Sequence, residues 1–62
     1  MTAAHHGEVF FEFIAVGPQV KVTAIDADSG TEVSIIGPAA ASHADLEKLA
    51  LAKLRARLAV KK

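Results

Sequence analysis

The chain contains no cysteine. Disulfide bridges and thiolate zinc sites are therefore excluded. Tryptophan and tyrosine are also missing, and Phe10, Phe11 and Phe13 are the only phenylalanines. Nucleophilic catalysis by a thiol or a phenol has no residue to work with. No apolar run approaches the roughly 18 residues of a membrane span. Residues 1–7 lack the basic stretch and apolar core of a secretory signal. A soluble chain with a cytoplasmic address is expected. Glycine is scarce, and Gly17, Gly30 and Gly37 stand alone as punctuation, so no glycine-rich phosphate loop is present.

Sixty-two residues suffice for one domain at most. A chain of this size buries only about 60% of the surface it exposes when unfolded, and its stability is marginal without a disulfide, a metal or a partner subunit. With disulfides excluded, association with another chain gains weight. Apolar residues make up 52% of the composition, well above a disordered chain, and the net charge is zero. That charge is unevenly spread. Residues 1–41 set Lys21 against Glu8, Glu12, Asp26, Asp28 and Glu32, one positive and five negative, for −4. Residues 42–62 set Lys48, Lys53, Arg55, Arg57, Lys61 and Lys62 against Asp45 and Glu47, six positive and two negative, for +4. Attraction between an acidic sheet region and a basic helix is the favoured reading of this asymmetry.

Residues 1–7 carry His5 and His6 among small residues without periodicity and read as a flexible tail. Two imidazoles with no third ligand nearby make a poor metal site. Residues 8–62 read as a single domain. Residues 8–16 form a first strand, in which Val9, Phe11, Phe13 and Ala15 share one face and Phe10, Glu12, Ile14 and Val16 the other. Both faces are apolar, apart from one carboxylate. A second strand at 19–26 alternates Val20, Val22 and Ala24 against Lys21, Thr23 and Ile25. Setting Ala15 opposite Val20, Phe13 opposite Val22 and Phe11 opposite Ala24 joins the apolar sets, and a slip of one residue would destroy the match. This register makes Val16 to Gln19 the connection, expected as a loose four-residue turn because proline is awkward at the third position of a tight one. Ala27-Asp28-Ser29-Gly30 turns the chain into a third strand at 31–37, with Asp26 opposite Thr31, Ala24 opposite Val33 and Val22 opposite Ile35.

Gly37-Pro38 ends that strand, and Ser42 is an N-cap with Asp45 three residues later. Residues 43–61 hold neither glycine nor proline. Asp45 and Glu47 lie early and Arg57, Lys61 and Lys62 late, which suits the helix dipole. At 100° per residue, Leu46, Leu49, Ala50, Leu51, Leu54, Leu58 and Val60 spread over about 200°, wider than the roughly 100° one sheet covers. Lys53 and Arg57 lie inside that arc, placed to snorkel past the sheet edge. The fold class is α+β: a three-stranded antiparallel meander followed by one C-terminal helix on one face. The expected core is Val9, Phe11, Phe13, Val20, Val22, Val33, Ile35, Leu46, Leu49, Ala50, Leu54 and Leu58.

Catalysis is poorly supported, and no enzyme activity, cofactor or metal is expected. Ser42 and His43 are adjacent on a helix, where side chains point apart. Asp26 and Asp28 flank a turn. Residues 26–32 faintly resemble a calcium loop, but they lack the ligand at the fifth position, the glycine at the sixth and the distal glutamate, so turn chemistry explains them. Nucleic-acid binding through the open sheet face is disfavoured, because that face offers Lys21 alone against Glu12 and Glu32. Attachment to an anionic membrane is disfavoured too, since the helix lacks aromatic anchors. The remaining candidate is a protein–protein surface formed by Phe10, Ile14, Val16, Ile25 and Ile36, fringed by Glu12, Lys21, Thr23 and Ser34. The expected partner is a second copy of the chain, through this face or the edge of the first strand, with another protein in its place as the variant reading. The alternative function is a binder of nucleic acid or anionic lipid through Lys53, Arg55, Arg57, Lys61 and Lys62.

The segments Gly7-Glu8-Val9-Phe10-Phe11-Glu12-Phe13, Val20-Lys21-Val22-Thr23-Ala24-Ile25-Asp26, Thr31-Glu32-Val33-Ser34-Ile35 and Gly37-Pro38-Ala39 resemble a family of short alphaproteobacterial proteins of uncharacterised role. The resemblance runs from Gly7 into the helix. It implies a stand-alone bacterial protein and brings no catalytic motif with it.

Overall fold

A computed structural model describes residues 8–60. The elements are β1 (Val9–Val16), β2 (Gln19–Asp26), β3 (Glu32–Pro38) and α1 (His43–Ala59). The strands form one antiparallel sheet in the order β1-β2-β3, and α1 packs on one face of it. This is the expected β-β-β-α architecture. Ala15 faces Val20, Phe13 faces Val22 and Phe11 faces Ala24, while Ala24 and Val22 on their other flank face Val33 and Ile35. The alternation of apolar and polar residues specifies this register, because only one pairing collects the apolar sets on the helix side.

The first turn differs from expectation. The ladder continues to a Val16–Gln19 pair, so Gly17-Pro18 is a tight two-residue turn. Gly17 adopts φ +59°, and among the described residues none other than glycine has positive φ. A positive φ at the first central position only is the pattern of the type II′ hairpin turn, which wants glycine there and accepts the φ of proline at the second. At the second turn, Asp26 Oδ2 accepts hydrogen bonds from the Ser29 N–H (2.9 Å) and Ser29 Oγ (2.7 Å), and the Gly30 N–H donates to the Asp26 carbonyl (2.8 Å). The Asp26 carboxylate thus closes an Asx-type turn. Strand β3 begins and ends one residue later than expected, although the Thr31 carbonyl still accepts from the Asp26 N–H at 2.8 Å.

Ser42 caps α1 as expected, its Oγ accepting from the Asp45 N–H at 3.0 Å. The helix stops at Ala59 rather than at residue 61, because Val60 turns extended. Leu46, Ala50 and Leu54, spaced by four, form its buried row and meet Val20, Val22, Ala24 and Val33. Buried Gly37 permits a close approach of Leu46 to the sheet, since a methyl group there would stand 2.5 Å from Leu46 Cδ2. Two expected core residues are corrected. Leu49 is 59% exposed and Leu58 37% exposed. Helix α1 covers β2 and β3 through Leu46, Ala50 and Leu54, and these two leucines lie to either side of that buried row. Val9, Phe11, Phe13 and Ile35 pack against the margin of the core and remain half-buried.

Candidate interaction surface

Strands β1 and β3 are the edges of the sheet. In an antiparallel pair, residues alternate between exchanging hydrogen bonds with the neighbouring strand and turning their backbone groups away from it. The Ala27 N–H donates to the Glu8 carbonyl at 3.1 Å. Carried along the observed register, this assigns Phe10, Glu12, Ile14 and Val16 to the bonds with β2. Val9, Phe11, Phe13 and Ala15 therefore turn their N–H and C=O groups outward. Among the described residues, none of these eight groups has a hydrogen-bond partner. The strand contains no proline or lysine, and Glu12 is its only charge. These are the devices that ordinarily protect an edge.

The β3 edge is different. By the same alternation Glu32, Ser34, Ile36 and Pro38 face outward. Lys53 Nζ on α1 reaches over the edge and donates to the Ser34 carbonyl at 2.7 Å. Pro38 has no N–H, and its carbonyl accepts from the Ala41 N–H at 3.0 Å. The lysine expected to snorkel past the sheet does so, and it obstructs the pairing groups of this edge. One edge is thus blocked at two positions and the other is open along its length.

On the face away from α1, Phe10 (52%), Ile14, Val16 and Ile36 (57%) are exposed, as expected. Ile25 is not. It is half-buried because it lies on the central strand, between Phe10 and Glu32. Thr23, expected in the polar fringe, is 5% exposed. It lies between Glu12 and Ser34, and its hydroxyl shares a 2.9 Å hydrogen bond with Ser34 Oγ. A central position buries small polar residues even on a solvent-facing sheet surface, which the alternation pattern alone does not reveal. On the helix side, Phe13 stacks on the His43 ring with centroids 4.2 Å apart and planes 18° from parallel. His43 is thereby engaged as a cover for β1, a role its position beside Ser42 did not suggest.

The alternative basic face is only partly assembled. Arg55 and Arg57 are exposed, Lys53 is held by Ser34, and Lys61 and Lys62 lie outside the described residues. His5 and His6 also lie outside them. No helix among the described residues is long and apolar enough to cross a membrane, and no group of three or more potential metal ligands converges among them.

No curated protein and no solved structure matches this chain. A family does: residues 6–62 match a domain of unknown function, DUF6898, and the chain belongs to that family.

Proposed function

We propose that this protein is a small non-enzymatic interaction module that self-associates, with β1 as the contact. The observation that carries the reading is the open β1 edge. Four outward-facing residues at alternate positions present unpaired backbone groups, on a strand whose side chains are apolar on both faces apart from Glu12. Strand addition satisfies those groups and covers the flanking phenylalanines together. The second edge is obstructed by Lys53 and Pro38, which favours a closed dimer over an open chain of sheets. A bacterial, alphaproteobacterial origin and a cytoplasmic address belong to the same proposal.

The test is molar mass by light scattering at tens-of-micromolar concentration. The native chain is expected at twice the protomer mass. Phe10→Glu is expected to return it to the protomer mass with the circular dichroism of the fold retained, because Phe10 lies outside the core. A native chain that stays monomeric at these concentrations overturns the proposal. Added salt separates this reading from the basic-helix alternative. Apolar strand pairing survives a rise from 50 to 200 mM, whereas a phosphate-binding surface weakens steeply.

A further inference from the structure

We infer that two copies pair antiparallel through β1 with Glu12 on the two-fold axis, which joins two sheets into one of six strands. The inference rests on the proposed self-association and adds its register. The parity of the strand restricts the choice. Ladder bonds between two copies use only the outward-facing residues Val9, Phe11, Phe13 and Ala15. A two-fold axis therefore passes through Phe11, Glu12 or Phe13 if most of the strand is to pair. With the axis at Phe13, Val9 falls opposite Gly17 in the partner's turn. With the axis at Phe11, Ala15 has no partner within Val9–Val16. Only the Glu12 axis pairs all four outward residues within β1: Val9 with Ala15 and Phe11 with Phe13, each twice. Every free backbone group of the edge is then satisfied.

The side chains agree with this register. Antiparallel pairing about an axis normal to the sheet keeps both α1 helices on one face. On that face Phe11 of each chain meets Phe13 of the other, and the four half-buried rings form one cluster between the helices. On the opposite face exposed Phe10 meets exposed Ile14. Aromatic and branched cross-strand pairs of this kind are among the favourable ones. The single unfavourable pair is Glu12 with its own copy, with Lys21 diagonal to each carboxylate across the β1–β2 register. Eight strand residues extend about 27 Å, so an interface confined to one strand edge is long and narrow and falls at the small end of specific interfaces. The dimer is therefore reversible and concentration-dependent.

The absence of cysteine makes a disulfide scan of β1 unambiguous. Residues opposite each other in a non-hydrogen-bonded antiparallel pair have Cα atoms about 4.5 Å apart, within disulfide range. Under mild oxidation Glu12→Cys is expected to crosslink to a covalent dimer fastest. Phe10→Cys and Ile14→Cys are each expected to stay uncrosslinked alone, because identical positions lie about 13 Å apart there, and to crosslink to each other when mixed. Glu12→Gln, which removes the facing charges without adding a thiol, is expected to tighten the dimer about two- to fivefold. Fastest crosslinking at Phe11→Cys or Phe13→Cys overturns the register and leaves self-association standing. A native dimer in which no β1 position crosslinks overturns pairing through this strand. A native chain that is monomeric overturns the underlying proposal as well.

Discussion

Leu49 and Leu54 are the same residue type on the same helix, and the sheet beneath them makes them opposites. Leu54 is fully buried among Val22, Ala50 and their neighbours, whereas Leu49 is more than half exposed. Leu54→Ala is expected to cost about 2–5 kcal/mol, by lost transfer energy plus the cavity left behind. Leu49→Ala is expected to stay within about 0.5 kcal/mol, as surface substitutions do. Paired urea titrations measure both, and equal losses would show that α1 sits rotated from the position described. The polar residues follow the same local logic. Thr23 tolerates burial because Ser34 supplies a partner for its hydroxyl, and Asp26 because Ser29 supplies two donors. No buried side-chain nitrogen or oxygen among the described residues is left without a hydrogen bond.

At the scale of elements, the two edge strands differ in what closes them. The difference traces to α1, which lies over β2 and β3 and sends Lys53 to the β3 edge. Strand β1 receives the stacked His43 ring from the helix start, so its phenylalanines stay half-covered and its edge stays free. The placement of α1 depends in turn on its start. Ser42 supplies the acceptor for the Asp45 N–H, and Asp45 lies in the first turn where the helix dipole favours a carboxylate. Ser42→Ala is expected to lower the stability of the chain by about 1 kcal/mol, read as a reduced denaturation midpoint with an unchanged slope. Ser42→Asp is expected to retain most of it, since aspartate caps as well as serine.

At the scale of the molecule, seven of the described residues make up the buried apolar core, and Leu54 and Val22 are the largest fully enclosed among them. That is a small core for a chain with no disulfide, and domains of this size are often completed by a partner. If association completes this one, folding and pairing are linked. Raising the protein concentration then raises the midpoint of thermal unfolding, because only the folded chain binds its copy. A rise of several degrees is expected between about 10 and 100 μM, measured by calorimetry. A midpoint independent of concentration would mean that the protomer is stable by itself.

The sequence by itself determined the number and order of the elements, the register of both hairpins and the helix cap. These depend on nearest-neighbour alternation and on turn and cap chemistry, which are local in the chain. It also marked Phe10, Ile14, Val16 and Ile36 as an apolar set with no cover, because a single helix cannot shield two faces of a sheet. The tight turn at Gly17-Pro18 was legible in principle, through the glycine that a type II′ turn wants in front of a proline. Which leucines of α1 are buried, why Ile25 and Thr23 are shielded on an open face, and which edge is left free were decided only in three dimensions. The shielding of Ile25 and Thr23 follows from their place on the central strand. The buried leucines and the free edge follow from the lateral offset of α1 toward β3, and no periodicity within the helix encodes where across a sheet its axis will lie.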